Sequence, residues 1–157
     1  MNDSDDLLSA ICSCPWIGAE GSRSGQPLLI RARNLPDDLV APPSLPYLLV
    51  LTYSYHPSGD AALPSQDQYE QLASFERGPI DAIELQRIGA ATLIRTFSGS
   101  VRYFCYVRNI DEAVAAISER LRCGDSVEFA GGEDPAWAEY RRLTGMIAAW
   151  PAAPGKS

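Results

Sequence analysis

The chain has 157 residues, enough for one domain with a real core and little beyond it. Apolar residues make up 46% and charged residues 21%, which excludes a disordered chain and a fibrous repeat. Thirteen Lys and Arg against twenty Asp and Glu leave a net charge of −7, a field that repels phosphate backbones and anionic membranes and so opposes nucleic acid as a partner.

The N-terminus opens acidic, with Asp3, Asp5 and Asp6 where a secretory signal carries basic residues, and no stretch approaches the roughly 18 apolar residues of a membrane helix. A cytoplasmic protein with no membrane partner is expected. Leu7, Leu8 and Ile11 mark a short amphipathic piece ended by Cys14 and Pro15, which reads as a loosely held extension over 1–15. Residues 16–25 are rich in Gly and Ser, and a first strand follows over 28–33, closed by Asn34. Pro36, Pro42, Pro43 and Pro46 make 36–46 an extended connection.

The run 47–55, YLLVLTYSY, is β-branched, leucine and aromatic without a breaker, the pattern of a central strand. After a loop from His56 to Asp60, a helix is predicted over 65–85, with Tyr69, Leu72, Ala73, Ile80 and Ile83 available to one face and a kink or split at Gly78-Pro79. Two strands, 89–97 and 101–108, turn at Ser98-Gly99-Ser100 as a hairpin. Asn109 as N-cap and Glu112 at the third helical position start a second helix, whose Ile110, Val114, Ile117 and Leu121 recur at helical spacing up to Gly124. A short strand over 126–130 ends at Gly131-Gly132. Asp134-Pro135 then reads as a cap followed by the first residue of a third helix, with Trp137, Tyr140 and Leu143 on one face, destined for the core.

The order β-α-β-β-α-β is the split crossover of the ferredoxin-like plait, an α+β fold with both helices on one side of a mostly antiparallel sheet. Here it carries an additional N-terminal strand and a C-terminal helix. The single domain spans 16–145, between the extension 1–15 and a tail over 146–157. The second sheet face is open unless something covers it.

Several marks occur together in this order. Trp16 precedes the Gly-rich lead-in, Gln26-Pro27 precedes the first strand, Asn34 closes it, and Asp134-Pro135-Ala136-Trp137-Ala138-Glu139-Tyr140 follows the last strand. Together they resemble, over most of 16–145, the bacterial family called domain of unknown function 695, with the D-P-x-W-x-x-Y ending as the most specific part. Members of that family sometimes occur beside a module similar to the inhibitor B of ribonuclease E. The resemblance implies a fold and an organisation, and no catalytic residues come with it.

Cys12, Cys14, Cys105 and Cys123 do not have the spacing of a disulfide framework, and with His56 as the single histidine they supply no zinc ligand set. No metal or cofactor is expected. The phosphate-cradling G-x-x-x-x-G-K-[ST], the G-x-G-x-x-G fingerprint and the G-x-S-x-G elbow are all missing from the sequence. Gly131-Gly132-Glu133-Asp134 reads as ordinary helix capping ahead of a cation site. By strand alternation Arg102, Phe104, Tyr106 and Arg108 share the open face. Their strand resembles the aromatic strand of RNA-recognition domains, but Tyr103 stands where those place glycine and Asn109 where they place an aromatic, and the net charge opposes RNA. The leading expectation is a non-enzymatic interaction or regulatory domain that meets a protein partner, most simply a second copy of itself as a homodimer, through Arg102, Phe104, Tyr106 and Arg108. A small-ligand or enzymatic pocket near His56 is the alternative.

Overall fold

The computed structural model describes residues 3–56, 63–122 and 125–148. In chain order it forms α1 (Asp3–Cys12), β1 (Trp16–Arg23), β2 (Gln26–Arg33), a 3-10 turn (Asp37–Leu39), β3 (Tyr47–Ser54) and α2 (Gln66–Phe75). A π-helical turn (Glu76–Ile80) leads into α3 (Asp81–Leu85), and β4 (Gly89–Phe97), β5 (Ser100–Val107), α4 (Ile110–Ser118), β6 (Val127–Glu133) and α5 (Ala138–Ala148) follow. The strands make one α+β sheet in the order β1-β2-β4-β5-β3-β6, with every neighbouring pair antiparallel.

Side chains alternate between the two faces of a strand, so each strand feeds two cores. On the first face, Leu49, Leu51, Tyr53, Val101, Tyr103 and Cys105 pack with Leu72, Phe75, Ile83, Ala113 and Ile117 from α2, α3 and α4. On the second face, Ala90 and Tyr106 pack with Leu8, Ile11, Leu35, Leu45, Trp137 and Tyr140, while Leu28, Ile30, Leu93 and Phe104 pack with Leu143 and Ile147. The stripe Trp137, Tyr140 and Leu143 is therefore buried, as its helical spacing predicts.

Several expectations are corrected. Residues 16–25 are not a lead-in: β1 pairs along its whole length with β2, and the turn residues Ser24 and Gly25 both have positive φ, 54° and 79°, which matches the twist of a two-residue hairpin. The hairpin widens the sheet beyond β4 and does not fold over a face. The N-terminal segment is not loosely held, because Leu8 and Ile11 of α1 are buried on the second face. The 65–85 helix begins with a capping box between Ser65 and Gln68 and then splits. Pro79 has no N–H to give to the ladder, and the backbone widens into the π turn around it.

The α4 helix ends at Ser118, short of Gly124, which lies with Cys123 outside the described residues. Gly131 and Gly132 do not break the last strand, since they pair with Leu49 and Leu48 of β3. A Cβ at Gly131 would lie 3.0 Å from Ile110 Cδ1 and 3.2 Å from the Leu48 carbonyl oxygen, so glycine here permits the close approach of α4. The last helix starts at Ala138, not at Pro135, and runs on to Ala148, so its last turn takes in the first residues of the expected tail.

Candidate functional site

The second face is closed by a lock built from the D-P-x-W-x-x-Y run. Asp134 Oδ1 accepts the Ala138 backbone N–H at 2.8 Å and Oδ2 accepts that of Glu139 at 3.1 Å, so one carboxylate satisfies two free donors at the start of α5. Tyr106 Oη donates to the same Oδ2 at 2.7 Å and accepts the Tyr140 N–H at 3.2 Å. Burial works against ionisation of Asp134, but the Tyr106 hydroxyl and the two amides outweigh it and hold the carboxyl below its usual range. Burial, and then the bond to Asp134, push the Tyr106 phenol up.

Trp137 is placed by an unusual backbone, with φ at 53° in the left-handed region. Its ring stacks on Tyr106 at 4.1 Å between centroids and 12° between planes, and its Nε1 donates to the Leu45 carbonyl at 2.9 Å. Tyr140 Oη donates to the Arg33 carbonyl at 2.6 Å. Motif and connection thus hold each other: Asp134 and Trp137 fasten α5 to β5, and Tyr140 fastens it to the end of β2.

This lock overturns the open aromatic face. Tyr106 is fully buried and Phe104 is buried beneath α5, because α1, α5 and the connection around Leu35 and Leu45 cover rings that a bare plait exposes. Tyr106 offers a base no accessible surface, and Phe104 keeps only a small part of its own. Arg102 and Arg108 are exposed, but they do not frame one patch with the rings. Arg108 pairs with Glu112 of α4 at 2.9 Å, while Arg102 stays on the second face. His56 is exposed beyond β3, and its backbone carbonyl accepts from Gln68 Nε2 at 2.7 Å. Among the described residues no group of three or more His, Cys, Asp or Glu is placed to hold a metal ion, and no helix is long and apolar enough to cross a membrane.

What α5 leaves uncovered is a groove of about 760 Å³ between that helix and β6. Its floor is Leu48, Val50 and Phe104, one wall is Glu128, Ala130 and Gly132 of β6, and the other is Ala138, Glu139 and Arg142 of α5. One end is basic, with Arg95 and Arg102. Sequence reading finds Arg102 through alternation on β5. It misses Arg95 and Arg142, because nothing in their own elements marks them, and only strand register and the docking of α5 bring them to the same place.

A separate polar knot sits where β2 ends. Arg33 Nε donates to the Ala91 carbonyl at 2.8 Å, Nη1 to that of Cys12 at 2.9 Å and Nη2 to Glu84 Oε1 at 3.0 Å, while its guanidinium lies 4.7 Å from the Trp16 ring centroid. Every element of the guanidinium fork is used, which is how a buried arginine is tolerated. Burial, with Glu84 adding to it, pushes the Cys12 thiol up to about 12, so it is protonated and inert at neutral pH. No family model, no curated protein and no solved structure matches the chain.

Proposed function

We propose that the chain is a non-enzymatic interaction domain on a ferredoxin-like plait, and that it engages a protein partner through the groove between α5 and β6. The order β4-β5-β3-β6, antiparallel throughout, with α2, α3 and α4 packed on one face, supports the plait. Kinship with the domain of unknown function 695 family is part of this proposal and rests on the resemblance of the D-P-x-W-x-x-Y run alone.

One observation carries the functional reading. The apolar floor of Leu48, Val50 and Phe104 lies beside β6, a strand at the edge of the sheet that pairs only with β3 among the described residues. An extended partner segment can rest apolar side chains on that floor and use the free backbone groups of β6, the mode by which edge strands recruit peptides. Tyr106 belongs wholly to the core and only Phe104, itself mostly buried, reaches the groove floor, so the working surface is the groove and not an open aromatic strand.

A photo-crosslinking residue at Thr52, in the groove, tests this against the same residue at Asp111, exposed on α4. A discrete adduct with one polypeptide from position 52 alone is expected, and a self-adduct identifies the partner as a second copy. No adduct, or the same adducts from both positions, overturns the reading.

A further inference from the structure

Strand register gathers arginines that the sequence scatters. Across the second face, Glu128, Thr52, Arg102, Arg95 and Ile30 stand in one row, each opposite the next. Arg95 and Arg102 are direct cross-strand partners, a like-charge pairing that is unfavourable on its own. Arg142 of α5 lines the groove with them. Arg23 joins Arg95 and Arg142 along a second cleft, of about 450 Å³, that also borders α5.

The four are unequally compensated. Arg142 Nε donates to Glu139 Oε2 at 3.1 Å. Among the described residues neither Arg95 nor Arg102 makes a side-chain hydrogen bond or ion pair, and the Nε of Arg95 is buried with no partner at all. A charged donor withdrawn from water without an acceptor carries its full desolvation penalty. Burial first, and then Arg102, Arg23 and Arg142, lower the proton affinity of Arg95, yet a guanidinium keeps its charge at neutral pH. On a chain with seven more acidic than basic groups, this is a local excess of positive charge that Glu139, paired with Arg142, offsets only in part.

We infer that Arg95 and Arg102, with Arg142 at the rim, form an oxyanion site that takes a single carboxylate or phosphate group at the basic end of the groove. Arginine forks suit both groups, because two parallel N–H donors match two oxygens. Glu128 two strands away in the same row, Glu139 on Arg142 and Glu133 farther along the groove favour one anionic group over a polyanionic chain. The site stands on its own residues, whether the anion is free or belongs to a partner.

The test follows the arginine Nε–Hε resonances of the isotope-labelled full chain during titration with sodium phosphate, and separately with sodium acetate, against sodium chloride at matched ionic strength. Saturable shifts at Arg95 and Arg102, with Arg108 unmoved, are expected, and the tighter of the two salts identifies the group preferred. Arg102→Gln is expected to weaken binding at least about tenfold, the effect of losing charge-assisted hydrogen bonds. Its melting temperature in chloride should not fall, since the substitution relieves the pairing with Arg95. Equal shifts in chloride, equal shifts at Arg108, or an Arg102→Gln chain that binds as tightly as the wild type would overturn the site. Those outcomes leave the crosslink from Thr52 unaffected, so the two readings fail separately.

Discussion

The hydroxyl of Tyr106 donates to Asp134 Oδ2 at 2.7 Å while accepting the backbone N–H of Tyr140 at 3.2 Å, so a single phenol on a central strand closes the start of α5. The same ring carries Trp137 stacked at 4.1 Å. The cover of the second face is thus fastened at the strand that lies beneath it, and what α5 leaves bare is fixed by that attachment.

Tyr106→Phe keeps the stacking and removes the hydroxyl, leaving Asp134 and the Tyr140 amide short of a partner. A loss of about 1–3 kcal/mol is expected from one buried hydrogen-bonding group left unsatisfied. Urea denaturation measures it, and an unchanged midpoint would contradict the lock.

Trp137→Ala is expected to cost about 3–5 kcal/mol, as for other fully buried large aromatics. Trp137→Phe retains a ring above Tyr106 but loses the bond to the Leu45 carbonyl, so it should fall between the wild type and the alanine variant. Thermal unfolding of the three chains checks the order.

Acid should release α5 before the first-face core. Asp134 is held below its unfolded value, so its contribution is complete above the ordinary carboxylate range, near about pH 4, and is lost as the pH falls through the lower folded value. The indole Nε–H resonance of Trp137, followed by NMR from pH 6 downward, should therefore change at acid pH in the wild type, and Asp134→Asn should remove that pH dependence. A transition identical in both chains would place the sensitive group elsewhere.

Arg33→Met leaves Glu84, the buried Ala91 carbonyl, the part-buried Cys12 and Cys14 carbonyls and the Trp16 ring without their common partner. Breaking a buried pair from one side is expected to cost about 3–5 kcal/mol, and removing Glu84 as well should recover part of it. A double-mutant cycle by urea denaturation reads both numbers. A double variant as unstable as the sum of the two singles would show that Arg33 and Glu84 do not act together.

Local pattern made much of this fold legible. The unbroken apolar run of β3, the hairpin of β4 and β5, the Asn109 cap and the Trp137 stripe all fall where their residues place them. The failures share one cause: their determinants are non-local. Gly18, Gly21 and Ser22 look like loop until β2 supplies a partner for β1, and Gly131-Gly132 looks like a break until β3 and Ile110 occupy the space beside it. Alternation correctly sends Phe104 and Tyr106 to the second face, but it says nothing of what lies over that face, because the covering residues, Ile11, Leu45 and Trp137, come from three distant parts of the chain. The groove is legible only in part for the same reason. Arg102 stands out on its strand, whereas Arg95 becomes its neighbour only through register.

The most direct measurement pairs sedimentation with thermal unfolding of the wild type and of the Phe104→Ser, Tyr106→Ser double variant. If the rings belong to the core beneath α5, the double variant is expected to unfold or to lose most of its stability at every protein concentration. A double variant that melts like the wild type, and differs only by turning a dimer into a monomer, would contradict this, because it would return the rings to an exposed interface.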